Sequence, residues 1–189
     1  MEDLQKKLDQ YIKKNHSKKE IGKMYERQIR YIYERNGWRV TPYGILKEKA
    51  DLGRDLICVK GKKVIIIQAK NWSKNSIIHE KHLMQLAGTM LYYIFTKKKF
   101  TKGLFITTTK LSEIAKDVAR KLNIQWKHIK LDKKYPMIKC NINKRGKKLF
   151  FLPFDKYYDN VYIDASKGEF YTNKIKHCLM MGFKYGGKN

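Results

Sequence analysis

Three side chains in the stretch GRDLICVKGKKVIIIQAKNW, residues 53–72, are of types that together suit phosphoryl chemistry: Asp55, Gln68 and Lys70. An aspartate and an amide oxygen are hard donors of the kind Mg²⁺ accepts while keeping waters and binding substrate phosphate. A neighbouring ammonium group orients a water or stabilises the charge that builds on phosphorus. Spacing is what brings the three together. Lys60-Gly61-Lys62-Lys63 has the length and central glycine of a two-residue type II′ hairpin, which pairs Lys60 with Lys63 and sets Asp55 opposite Gln68. Side chains alternate along a strand and opposed residues share a side, so Asp55, Gln68 and Lys70 converge on one patch. A β-bulge would shift the pairing by one residue. A plainer reading stands beside this one, with Asp55 capping a loop and Gln68 and Lys70 as polar strand-end residues.

The elements that must carry the patch follow from periodicity. Leu4, Leu8, Tyr11 and Ile12 fall on one side of an N-terminal helix, and Ile21, Tyr25, Ile29 and Ile32 form the apolar stripe of a second. Ser17 and Glu20 have the spacing of a capping box, and Gly37 supplies the stop. Trp38 to Tyr43 reads as a short strand leading into a loop. After the hairpin, Ile78, His82, Gln85, Leu86 and Thr89 recur at helical intervals, GLFITTT is an apolar strand, SEIAKDVARKLN is a helix repeating through Ile114, Val118 and Leu122, and IQWKHIKL is a strand. This alternation predicts an α/β layer with partly parallel strands. Beyond residue 132 the pattern changes to short strands around Lys144-Arg145-Gly146-Lys147 and a short helix before a Gly-rich end. The expected organisation is an N-terminal helix at 1–19, an α/β domain at 20–131, and a small basic β-rich appendage at 132–189.

Composition narrows the partner. Lys and Arg number 43 against 17 Asp and Glu, a formal charge of +26 spread along the whole chain. Such a field favours a polyanion; a Lys-rich composition inherited from a biased genome would account for it without one. No apolar run reaches the roughly 18 residues of a spanning helix, and the charged start has no apolar signal-peptide centre, so a cytoplasmic location is expected. Cys58, Cys140 and Cys178 are odd in number and widely spaced, the pattern of buried reduced thiols rather than a disulfide or zinc site.

GRDLI followed by VIIIQAKNW resembles the active-site pattern of the Mrr-type restriction endonucleases, a branch of the PD-(D/E)xK nuclease superfamily. GKMYERQIRYIYERNGWRV is similar to that family's opening helix and strand, and HLMQLAGTM and KGLFITTTKLSEIAKDVARKLNI to its later helix, strand and helix. The resemblance covers roughly residues 20 to 130. It implies a restriction-endonuclease-like mixed sheet flanked by helices, and a DNA endonuclease of low sequence specificity that uses Mg²⁺ or Mn²⁺. Asp55 is then the principal metal ligand, Gln68 the second and Lys70 the catalytic lysine. Glu26 on the opening helix reaches the metal or its water, and Gln85 supports the site or contacts the DNA backbone. Most of the superfamily has Glu where Gln68 stands, so metal affinity leans on Asp55 and Glu26.

Other residues have both a functional and an ordinary reading. Asp51 is a reserve ligand or a turn aspartate. His79 and His82 have near-ligand spacing but no local third ligand, which argues against zinc. Asn71 and Trp72 follow the lysine directly, and Trp72 is a packing residue or a wall against DNA. Thr107, Thr108 and Thr109 end a strand where hydroxyls can meet phosphate. Asn71, Thr108, Lys110, Lys144 and Arg145, with Gln85, are the candidate DNA contacts; in the appendage, a solvated basic turn over a small aromatic core explains Lys144 and Arg145 equally well. The partner is expected to be double-stranded DNA, with a homodimer compatible with the chemistry. A non-catalytic DNA-binding module on a nuclease fold is the alternative from another class, and an RNA-associated basic protein a weaker one.

Overall fold

The computed structural model describes residues 2–47 and 53–187, so Asp51 lies outside the described residues. The chain divides into two compact units, one of residues 18–30 and 40–131 and the other of 1–17, 31–39 and 132–189. Among the described residues no helix is long and apolar enough to cross a membrane.

The first unit is built on a five-stranded mixed sheet in the order β1-β2-β3-β5-β7. Its strands are β1 (Arg39–Thr41), β2 (Leu56–Lys60), β3 (Lys63–Lys70), β5 (Lys102–Thr107) and β7 (Ile124–His128). β2 and β3 pair antiparallel, and β3 with β5 and β5 with β7 pair in parallel. The hairpin register is the one its turn demands: Lys60 lies opposite Lys63 and Leu56 opposite Ile67. Gly61 carries a φ of +56° while Lys62 stays in the ordinary negative range, as a type II′ turn requires.

Helix α2 (Lys18–Glu34) opens with Glu20 in its first turn, where a carboxylate favours the helix dipole. Met24, Tyr25 and Ile29 are its fully buried apolar residues, with Arg30 and Glu34 buried beside them; Ile21 and Ile32, expected there, are only half-buried. A short helix α3 (Tyr43–Lys47) follows β1, where the sequence suggested a loop. On the side of the sheet covered by α4 (Glu80–Lys97) and α5 (Glu113–Lys121), Ile66, Phe105 and Ile124 meet Ile78, Leu83, Leu86, Leu111, Ala115 and Ala119.

Two expectations are corrected here. Helical periodicity includes Ile78, but Ile77–Ile78 is a strand, β4, paired in parallel with β6 (Lys110–Leu111). Helix α4 (Glu80–Lys97) begins only after His79. Ser112 N–H donates to Ile78 O at 2.9 Å and the Thr109 hydroxyl donates to Ser76 O, so the bridge satisfies backbone that a helix would otherwise serve. In α5 (Glu113–Lys121), capped by Ser112 Oγ accepting from Ala115 N–H, the buried positions are Ala115 and Ala119. Ile114 is 64% exposed and Leu122 39%. Alanines let the helix lie close to the sheet, and the larger residues are left outside.

The second unit holds a four-stranded sheet in the order β10-β8-β9-β11, from β8 (Ile138–Ile142), β9 (Lys148–Phe151), β10 (Phe170–Thr172) and β11 (Lys184–Tyr185), with helices α1 (Glu2–Lys13) and α6 (Ile175–Met180). Gln5 of α1 joins it from 168 residues away, donating to Asn173 O at 3.2 Å and accepting from Ile175 N–H at 2.9 Å. Lys139 is fully buried, and its ammonium group donates to Tyr158 O and Val161 O at 3.1 and 2.9 Å, the pairing that burial of a charge requires. All three cysteines are buried and reduced. Cys140 Sγ stands 3.3 Å from Cys178 Sγ, and that shared hydrogen bond raises the Cys140 thiol above its ordinary value.

Candidate active site

Asp55 sits just before β2, where the hairpin ladder runs out. Its own N–H still donates to Ile67 O at 3.0 Å. The next donor along β3, Ala69 N–H, is taken by the Asp55 side chain, with Oδ2 accepting at 2.6 Å. A carboxylate in the place of a strand carbonyl is thereby fixed in one orientation while only 8% exposed. The other oxygen, Oδ1, lies 3.1 Å from where a Cβ on Gly44 would stand, and Glu26 Oε2 lies 3.2 Å from that same point. The hydrogen at Gly44 therefore leaves the space in which two carboxylates from α2 and the β2 edge come near each other.

Asp55, Glu26, Lys70 and Asn71 line one open cleft of about 840 Å³, with Lys18, Gly22 and Trp72 on its walls. Lys18 and the backbone of Ala69 are participants the sequence did not single out; only the hairpin register, extended one step past the last pair, would have pointed to Ala69. Gln68 is not among the residues lining the cleft. It is 1% exposed, and its Nε2 donates to Gln85 Oε1 on α4 at 3.0 Å. Gln85 thus holds the Gln68 amide by one hydrogen bond while itself remaining exposed. Gln68 Oε1 is buried and, among the described residues, accepts no hydrogen bond.

An orphaned amide oxygen costs about 1–3 kcal/mol unless something else takes it, and a hard cation is one such partner. Among the described residues no group of three His, Cys, Asp or Glu side chains is gathered as for a metal. Two carboxylates and an amide oxygen are hard oxygen donors, the type that hard divalent cations accept.

His82 faces the same region. Burial, then the charge of Lys70, pushes its imidazole below the ordinary value, and its ring meets Trp72 edge-on at 5.1 Å. Among the described residues no third His, Cys, Asp or Glu joins His79 and His82.

The threonines at the end of β5 are committed to the scaffold. Thr107 Oγ1 accepts from Thr109 N–H at 3.1 Å. Thr108 Oγ1 accepts from Trp72 N–H at 2.8 Å and donates to Trp72 O at 2.7 Å. Its single hydroxyl proton is therefore used, so Thr108 pins the Trp72 segment and is not free to donate to phosphate. Asn71 and Lys110 line a second pocket beyond Trp72. Lys144 and Arg145 lie on the exposed β8–β9 turn of the other unit.

A family model, Mrr_cat, described as restriction endonuclease, matches residues 18–133. No curated protein matches the sequence significantly. Among solved structures, a protein of unknown function, AF1548, is 18% identical over 55% of this chain and 56% of its own, with a TM-score of 0.41. EndoMS in its apo form is 12% identical over 63% of this chain and 48% of its own, with a TM-score of 0.42. A repair endonuclease from Pyrococcus abyssi is 13% identical over 62% of this chain and 48% of its own, with a TM-score of 0.43. The chain thus spans about half the length of the structures it matches.

Proposed function

Because the chain belongs to the Mrr-type restriction endonuclease family, with a nuclease domain of restriction-endonuclease-like α/β fold, we propose that it is a DNA endonuclease of low sequence preference that works with Mg²⁺ or Mn²⁺. The observation that carries this reading is the meeting of Asp55, Glu26 and Lys70 in one cleft, backed by a buried amide oxygen of Gln68 that accepts no hydrogen bond among the described residues. We assign the chemistry to residues 20–131 and treat 132–189 as an appendage that adds phosphate contacts through Lys144 and Arg145.

Asp55, Glu26 and Gln68 Oε1 would hold the divalent ion, which supplies a lowered water pKa and positive charge beside the phosphorus. The chain's own groups do the rest. Ala69 N–H keeps Asp55 from rotating, so that Oδ1 stays on the cleft side without reorganisation during the reaction. Gln85 takes the Gln68 amide nitrogen, which leaves the amide oxygen available to a cation. Lys70 places an ammonium group where negative charge develops on the phosphate oxygens and orients the attacking water. Binding draws on the +26 charge through phosphate contacts, which makes affinity salt-sensitive and only weakly dependent on sequence.

Incubation with supercoiled, linear and single-stranded DNA, with and without Mg²⁺ or Mn²⁺, tests the proposal. Metal-dependent cleavage that is lost in Lys70→Ala with DNA binding intact supports it. Binding with no turnover in either metal identifies the non-catalytic DNA-binding module instead. Preferential binding of duplex RNA would favour an RNA-associated role.

A further inference from the structure

Beyond Trp72 lies a second pocket of about 470 Å³, large enough for one nucleotide, bounded by Trp72, Lys74, Lys110, His128 and Lys130. We propose that it receives an unpaired nucleotide flanking the phosphodiester cut in the cleft, with the base against Trp72 and its phosphates among the lysines. The inference rests on the endonuclease reading for what happens in the cleft, but not for the binding itself.

Three features carry it. The pocket lies at the carboxyl ends of three adjacent strands, since its walls continue β3 through Asn71 and Trp72, β5 through Thr108 to Lys110, and β7 through His128 to Leu131. Ligands of parallel sheets bind at that end of the strands. Asn71 and Trp72 line both this pocket and the catalytic cleft, so a strand leaving Lys70 meets the indole first. The lining has three lysines and no acidic residue, whereas the cleft has Asp55 and Glu26. The one pocket suits a bare anion and the other a cation between carboxylates and phosphate.

The wall is also held in place. Thr108 fixes the Trp72 backbone from both sides, Thr108 N–H donates to Lys70 O at 3.1 Å, and the His128 ring Nε2 is 2.9 Å from Thr108 O. Trp72 nonetheless keeps 38% of its surface exposed. A rigid, half-open indole beside a basic hollow is the platform single-stranded nucleic acid uses. A paired base has both faces occupied by its neighbours in the duplex, so only an unpaired one can stack there.

The test is fluorescence anisotropy in the absence of divalent metal, comparing a duplex with a short single-stranded overhang to a fully paired duplex of the same length. Trp72→Ala is expected to weaken overhang binding about 5- to 150-fold and to leave the paired duplex nearly unchanged, with Trp72→Phe restoring most of the loss. A 2-aminopurine in the overhang should be quenched by the wild type and not by Trp72→Ala; Lys110→Gln with Lys130→Gln should lower overhang affinity and flatten its salt dependence. Equal weakening of both DNAs, or unchanged overhang binding together with absent quenching, overturns the proposal. Because no cleavage is read, failure of the nuclease reading leaves these outcomes distinct.

Discussion

Removing the Asp55 side chain should damage two things at once, and the two can be separated. Its Oδ2 accepts the buried Ala69 N–H at 2.6 Å, with Asp55 8% and Ala69 9% exposed. In Asp55→Ala that N–H loses a charge-assisted partner and is left in a site with little water. Hydrogen bonds to charged groups contribute about 1.5–3 kcal/mol, and an unsatisfied buried donor costs about 1–3 kcal/mol. A loss of about 2–3 kcal/mol is expected. For a chain of this length each kcal/mol moves the melting temperature by about 2–4 °C, which puts Asp55→Ala about 4–12 °C below the wild type. Asp55→Asn keeps an oxygen at the same place and gives up only the charge, so about 1 kcal/mol and 2–4 °C are expected. Cleavage should vanish in both, because the amide cannot supply the carboxylate's charge. Scanning calorimetry together with plasmid cleavage reads both quantities. Equal melting temperatures for the two variants would refute the structural role given to Asp55, and wild-type cleavage by Asp55→Asn would refute the chemical one.

Gly44→Ala places a Cβ 3.1 Å from Asp55 Oδ1 and 3.2 Å from both Asp55 Cα and Glu26 Oε2. Since the Asp55 backbone cannot swing aside, denaturant unfolding should show a loss of about 1–3 kcal/mol, and cleavage should fall about 10- to 100-fold as the carboxylates move. Gln68→Glu should fold normally, because Gln85 can turn its amide to donate where it now accepts, and its Mn²⁺ affinity in calorimetry should rise above that of the wild type. The His82 imidazole has its folded value lowered by burial and by Lys70. The unfolded chain therefore takes this proton more readily, and stability is lost as pH falls through about 6.5 toward the folded value. Melting temperatures at pH 7.5 and 5.5 should drop further for the wild type than for His82→Gln.

The sequence carried the hairpin well, because a two-residue turn with glycine first allows one register, and that register alone places Asp55 beside the end of β3. The helices announced themselves by period, but period does not say which residues face the core. In α5 the small Ala115 and Ala119 are buried and Ile114 is not, a choice made by how closely the helix approaches the sheet. Ile78 fits a helix locally and joins a strand because Leu111, far along the chain, offers its backbone. The same holds for the contact of Gln5 with Asn173 and Ile175, and for the pairing of Cys140 with Cys178, which leave no mark in local pattern. At the site, the residue types were legible, but the grip of Ala69 on Asp55 and of Gln85 on Gln68 arises from three-dimensional placement. Trp72 was ambiguous in the sequence because its meaning depends on the pocket behind it.

Calorimetric titration of Mn²⁺ into the wild type, Gln68→Leu and Asp55→Asn asks whether the cleft is a metal site at all. One ion per chain in the wild type, bound markedly more weakly when the Gln68 oxygen is deleted and more weakly still when the Asp55 charge is removed, is the expected result. Identical binding by all three proteins, or none by the wild type even with a DNA oligonucleotide present, would contradict it.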